Sequence, residues 1–148
     1  MSGLFVAFEG VDRSGKTTQL RLLAERLGDK HEVVVTREPG GTPVAEAIRV
    51  LLLADDVDMS ARCEALLFAA ARADHVERTI RPALERGAVV LSDRFVDSSL
   101  AYQGVARGLG VEDVERVNMW ATDGVIPDLT IMLDLPTGTS TQRDGEID

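Results

Sequence analysis

Gly10-Val11-Asp12-Arg13-Ser14-Gly15-Lys16-Thr17 is the stretch on which the fold turns. The octet matches G-x-x-x-x-G-K-[ST], a pattern that carries meaning only where a strand leads into it and a helix leaves it. Both conditions are met. Leu4 to Phe8 is a short apolar run ending in Glu9-Gly10, as expected of a strand buried on both faces. From Lys16 onward, Leu20, Leu23, Ala24 and Leu27 recur at helical spacing, and Gly28 stops the helix. The glycines permit a tight loop whose N–H groups converge on phosphate oxygens, and the helix N-terminus adds partial positive charge. Gly10, Val11, Asp12, Arg13, Ser14, Gly15, Lys16, Thr17 and the adjoining Thr18 are therefore expected to hold the phosphates of a nucleotide. Lys16 is placed to reach the β- and γ-phosphates and the Thr17 hydroxyl to ligate Mg²⁺. Arg13, inside the loop, offers a cation in cis to the charge that develops on a transferring phosphoryl group, a device worth roughly 10³–10⁵ in rate in GTPases.

Outward from this loop the pattern alternates. Val33 to Thr36 reads as a second strand, and Arg37-Glu38-Pro39-Gly40-Gly41-Thr42-Pro43 as a loop by its Gly and Pro chemistry. A helix is predicted from Pro43 to about Leu53. Another, capped by Ser60, runs to about Arg86 with a bend near Pro82. Ala88 to Leu91 is a third strand, closed by Ser92-Asp93-Arg94. Helices at about Ser98–Arg107 and Val111–Thr122 follow, split by Gly108-Leu109-Gly110, and Leu129 to Leu135 is a fourth strand. Such alternation implies an α/β fold of the P-loop NTPase kind, a three-layer sandwich around a parallel sheet with right-handed crossovers. Ligands of such sheets sit beyond the carboxyl ends of the strands, here marked by Glu9-Gly10, Arg37-Glu38, Asp93-Arg94 and Asp134.

Composition narrows the partners. The chain of 148 residues suits one domain, with 45% apolar and 28% charged residues. Its net charge of −9 argues against a nucleic-acid partner, whose phosphates require a basic surface, but not against a nucleotide held by a few local arginines. No apolar run is long enough to span a membrane, and Glu9 and Asp12 come too early for a signal peptide. The single cysteine, Cys63, carries no metal-ligand spacing and fits a reducing cytoplasm. His75 reads as structural or surface, and Trp120 as filling a core or an interface.

Further motifs distinguish a kinase from other phosphate-loop proteins. Phe8-Glu9-Gly10-Val11-Asp12, Thr36-Arg37-Glu38-Pro39-Gly40-Gly41-Thr42, Phe68-Ala69-Ala70-Ala71-Arg72-Ala73-Asp74-His75, Asp93-Arg94-Phe95 and Ser98-Ser99-Leu100-Ala101-Tyr102-Gln103 occur in this order. With them the chain resembles the thymidylate kinase family over residues 4 to about 136. The resemblance implies transfer of the γ-phosphoryl group of ATP to dTMP, giving dTDP for dTTP synthesis.

Phe68 and Arg72 are four apart and share one helix face, so an aromatic ring can stack on a base while a guanidinium donates to a base carbonyl. The resemblance makes that base thymine and its acceptor O4. Asp93 ends an apolar strand in the manner of the acidic residue that holds Mg²⁺ beside Thr17. Arg94 resembles the residue that grips the acceptor phosphate, and Arg37 with the Pro39-Gly40 turn the loop that closes over it. Ser99, Tyr102 and Gln103 fall where the family reads the base edge and tests the sugar. Tyr102 would crowd a 2′-hydroxyl, while Gln103 can accept and donate at the pyrimidine edge. Asp12 would help position the acceptor phosphate through Mg²⁺ or water. The predicted catalytic set is thus Arg13, Lys16, Asp12 and Arg94.

The resemblance also implies a homodimer, supported by apolar positions around Val44–Leu53. Family members are longer, and the lid and last strand and helices are expected to be incomplete in this chain after about residue 136. Two other readings stay open at this point. One is a kinase for a different deoxynucleoside monophosphate; the other is a nucleotide-binding module without catalysis.

Overall fold

The computed structural model describes residues 3–136. The strands are β1 (Leu4–Gly10), β2 (Val33–Arg37), β3 (Val89–Asp93) and β4 (Leu129–Leu133). Between them run the helices α1 (Lys16–Gly28), α2 (Pro43–Leu52), α3 (Ala61–His75), α4 (Arg81–Glu85), α5 (Val96–Ser99) and α6 (Val111–Ala121). Residues 137–148, on which the expectation of an incomplete lid falls, lie outside the described part.

The four strands form one parallel sheet in the order β2-β3-β1-β4. Successive side chains of a strand face opposite ways, and β1 feeds two cores accordingly. Phe5 and Ala7 pack with Val90, Val76, Ile80, Ala83 and Phe95 on one face. Val6 and Phe8 pack with Leu91 and Leu20 on the other, where Leu23, Ala24 and Leu27 of α1 join them. Helices thus cover both faces, and the predicted three-layer α/β sandwich is what forms. The chain leaves β1 toward β2 on one side and, after β3, crosses to β4 on the other. The carboxyl ends of β1 and β3 therefore flank a topological switch point, where a crevice opens.

Local chemistry sets the helix starts. The Thr42 hydroxyl accepts from the Ala45 N–H at 3.1 Å with Pro43 in the first turn of α2, and Ser60 caps α3 through the Cys63 N–H at 3.3 Å. Two helices depart from the expected regular form. The segment predicted to bend near Pro82 widens instead into a π-helical stretch at Val76–Ile80, directly before α4. Pro82 has no N–H to give a regular ladder, and the Arg81 N–H reaches back five residues to the Val76 carbonyl. The helix predicted from Ser98 begins at Val96, and Leu100–Ala106 is again π-helical, with the Arg107 N–H on the Tyr102 carbonyl at 2.9 Å. Close packing accompanies this second stretch, since a Cβ on Gly104 would lie 3.2 Å from the Val111 Cα. Trp120 is not a core residue: its side chain is 85% exposed on α6.

Candidate active site

The phosphate loop closes between β1 and α1 as its sequence requires. Gly10 has φ 143°, and a Cβ there would meet the Leu133 carbonyl oxygen at 2.4 Å, so only glycine fits against the end of β4. Arg13 adopts φ 62°, a left-handed conformation that a loop wrapped around phosphate exploits. Lys16 is buried, and its ammonium donates to the Val11 carbonyl at 2.8 Å across the loop. Burial, and then the nearby Arg94 cation, lower its pKa from the ordinary lysine value. Both effects oppose the charge that a phosphate would stabilise. The Ser14 hydroxyl oxygen is buried beside Gly10 with no hydrogen-bond partner among the described residues.

β3 delivers the next groups. The Thr17 hydroxyl donates to Asp93 Oδ2 at 2.9 Å, joining two hard oxygen donors that lie 76 positions apart in sequence. A hydroxyl and one carboxylate fit Mg²⁺, which retains waters and shares substrate phosphates rather than filling an all-protein cage. Arg94 is held at φ 71° and does not pair with its neighbour Asp93. Its Nη2 donates to Asp12 Oδ1 at 2.6 Å, its Nη1 to the Ser98 hydroxyl at 3.0 Å, and its guanidinium lies 5.5 Å from the Tyr102 ring centroid. Glu9 fixes this turn from below: its carboxylate accepts from the Phe95 N–H at 2.8 Å and the Ser98 hydroxyl at 2.6 Å. Burial raises the Glu9 pKa above the ordinary carboxylate value despite those two hydrogen bonds.

Arg72 is not the surface residue that an amphipathic helix would suggest; it is 2% exposed. Nε donates to Glu38 Oε2 at 2.6 Å, Nη1 to the Ser99 hydroxyl at 3.1 Å and to Asn118 Oδ1, and Nη2 to the Phe95 carbonyl at 3.1 Å. Four of five guanidinium N–H groups are thereby engaged, the fifth being the second hydrogen of Nη2, and Arg72 itself lines the cavity described below. The other oxygen of Glu38 meets His75 Nδ1 at 3.0 Å, and His75 Nε2 meets the Thr36 hydroxyl at 2.6 Å. His75 is fully buried, so of the structural and surface placements its sequence allowed, the fold takes the structural one. This network requires Gly41, where a Cβ would lie 2.5 Å from the His75 ring at φ 88°.

The loop after β2 folds back on α2. Arg37 pairs with Glu46 at 3.0 Å, which also accepts from the Gly41 N–H at 3.0 Å, and Arg49 Nη1 donates to the Pro39 carbonyl at 2.8 Å. The Glu38–Pro39 peptide is cis.

One cavity of about 540 Å³ gathers these groups. Every predicted acceptor-side residue lines it: Arg37, Pro39, Phe68, Arg72, Arg94, Ser99, Tyr102 and Gln103. So do Asp12, Arg13, Lys16, Thr17 and Asp93. Gly10, Val11, Ser14, Gly15 and Thr18 do not line it; the glycines and Val11 shape the loop through their backbone. Arg49 and Glu64 also face this cavity and were missed in the sequence. Glu64 had a legible signal, lying one helical turn before Phe68 on the same face of α3. Arg49 had none, because only the fold of the loop brings Pro39 to it.

Comparison with known proteins points to one family. The family model described as "Thymidylate kinase" matches residues 8–146. A thymidylate kinase from Halothermothrix orenii is 54% identical over 144 residues, covering 97% of this chain and 70% of its own length. Another, from Symbiobacterium thermophilum, is 59% identical over 146 residues, covering 97% and 68%. The crystal structure of thymidylate kinase from Ehrlichia chaffeensis superposes with a TM-score of 0.83 at 41% identity, covering 90% of this chain and 72% of that one. A phosphate loop, a Thr17–Asp93 pair and a buried arginine facing the same cavity, on a backbone shared with these relatives, assign the chain to the thymidylate kinase family.

Proposed function

We propose that this protein transfers the γ-phosphoryl group of ATP to dTMP, giving ADP and dTDP. The observation that carries the reading is the single cavity lined by the cations of the phosphate loop, by Arg94 and by Phe68 with Arg72. Donor and acceptor phosphates can meet there in line.

Phosphoryl transfer needs positioning and charge neutralisation rather than covalent help. Lys16 leaves the Val11 carbonyl to bind the β- and γ-phosphates. Arg13 faces the equatorial oxygens of the group in flight. Arg94, braced by Asp12 and Ser98, presents its guanidinium to the acceptor phosphate. Phe68 stacks on the base, and the remaining Nη2 hydrogen of Arg72 donates to the 4-oxo group. Tyr102 lies against the sugar and favours deoxyribose. Arg37 and Arg49 add positive charge at the loop that closes over the acceptor. Thr17 and Asp93 would hold Mg²⁺, which supplies charge neutralisation among the phosphate oxygens.

Assembly and location belong to the same reading. Val50, Leu53, Leu66 and Trp120 form exposed apolar positions on α2, its C-terminal end, α3 and α6, and we assign this surface to a homodimer. Among the described residues no helix is long and apolar enough to cross a membrane. A cytoplasmic setting agrees with the lone thiol of Cys63.

The test is ADP release from ATP and Mg²⁺ with dTMP, against dUMP, dCMP and purine monophosphates in parallel. Turnover preferring dTMP is expected. Equal or better turnover with another monophosphate would reassign the acceptor, and tight dTMP binding without ADP release would make the protein a binding module.

A further inference from the structure

Gln103 is 3% exposed at the cavity wall, and the two ends of its amide are chemical opposites. Its Nε2 donates to Glu64 Oε1 at 2.9 Å. An ionised carboxylate only accepts, so the amide cannot turn over without setting its carbonyl oxygen against a carboxylate oxygen. Glu64 is itself held from behind: Arg107 donates to Oε2 through Nε at 3.2 Å and through Nη2. The Arg107 guanidinium, with the Gln103 amide, holds the Glu64 carboxyl below its ordinary pKa, so it stays ionised through neutral pH. Glu64, Phe68 and Arg72 recur every four residues on one face of α3, which sets the carboxylate in line with the residues assigned to the base.

We propose that Glu64 is a specificity-determining positioning residue: it locks Gln103 with its carbonyl oxygen toward the cavity, so that an acceptor stands beside the Arg72 donor. The proposal rests on the reading above, in which this wall takes the acceptor base. A 4-oxo pyrimidine such as thymine presents an N3–H donor next to the O4 acceptor, complementary to that pair. Cytosine reverses both groups, with a bare N3 and a 4-amino donor. Each mismatch strands a buried polar group, the kind of discrimination that hydrogen-bonding sites achieve far more strongly than apolar ones. Tyr102 and Phe68 bear on sugar and ring face and do not distinguish the two bases. Glu64 touches neither base; it acts through the orientation of one amide.

Glu64→Gln tests this with little change of shape, because an amide at position 64 accepts Gln103 in either orientation. The measurement is the Kd of dTMP, dCMP and deoxyribose 5-phosphate, by calorimetry, for the unaltered protein, Glu64→Gln and Gln103→Ala. The preference for dTMP over dCMP is expected to fall about tenfold in Glu64→Gln, as one of the two mismatches is relieved. Binding of the baseless deoxyribose 5-phosphate should not change. An unchanged base preference in Glu64→Gln, with a reduced one in Gln103→Ala, overturns the role of Glu64 and leaves the base wall standing. Unchanged preference in both variants removes Gln103 from base reading and sinks the wider assignment. Equal weakening of all three ligands would make Glu64 merely structural and likewise overturn the proposal.

Discussion

Replacing Arg72 by Met should destabilise the fold far more than a surface arginine could, and the structure gives the reason. Met preserves an apolar contact with the Phe95 ring, over which the guanidinium sits at 5.4 Å, but removes every hydrogen bond Arg72 makes. Glu38, whose side chain is 3% exposed, is left with His75 as its one remaining side-chain partner among the described residues. Stranding one member of a buried ion pair costs about 3–5 kcal/mol. The Ser99 hydroxyl, Asn118 and the Phe95 carbonyl also lose a donor, at about 1 kcal/mol each. Glu38→Gln alone keeps the three neutral acceptors of Arg72 and should cost about 2–3 kcal/mol. In the double variant neither charge is stranded, so its loss should fall short of the sum of the singles by about 2 kcal/mol. Urea unfolding followed by far-ultraviolet circular dichroism measures all three. Additivity within about 0.5 kcal/mol would show that the two residues are not coupled and refute the network.

Lys16→Met should lower kcat by about 10²–10³, the scale for removing one preorganised cation or donor from a transition state, with the Kd of dTMP unchanged. Parallel losses in kcat and in dTMP affinity would mean that Lys16 supports the acceptor side instead. The Glu64 carboxyl, with its pKa lowered from 4.5 in the folded state, contributes stability that is fully present above that value and is lost as pH falls through the folded pKa. The stability gap between the unaltered protein and Glu64→Gln, from urea midpoints between neutral and acid pH, should therefore close on acidification; a gap independent of pH would contradict the Arg107 pairing. Trp120→Glu should convert a dimer to a monomer in sedimentation, and an unaltered protein that is monomeric at all concentrations tested would refute the assigned interface.

Much of the fold was legible because its signals are local. The loop from Gly10 to Thr17 needs glycines, a lysine and a helix start within one short stretch of backbone, and sequence order alone supplies them. The Ser60 cap is equally local, closing on an N–H three residues away, and so is the Thr42 cap that the structure adds before Pro43. The π-helical stretches were not legible. Widening by one residue leaves no local sequence signature, and at the second stretch it goes with a close approach of Gly104 to Val111 that joins separate segments of the chain.

The site divides in the same way. Its residue types and their order along the chain, from the phosphate loop through Phe68 and Arg72 to Gln103, were written in the sequence, and the resemblance they carried named the family. Only the tertiary structure decided which partners each residue meets. Arg94 pairs across the crevice with Asp12 rather than with its neighbour Asp93, because β1 and β3 are adjacent strands. Arg72 is buried because α3 lies against the loop after β2 and against α6, which bring Glu38 and Asn118 to it. Charge and spacing along a chain specify what a group can bond to. Which bond forms depends on which distant groups share its low-dielectric surroundings, and the packing of the sheet and its helices sets those.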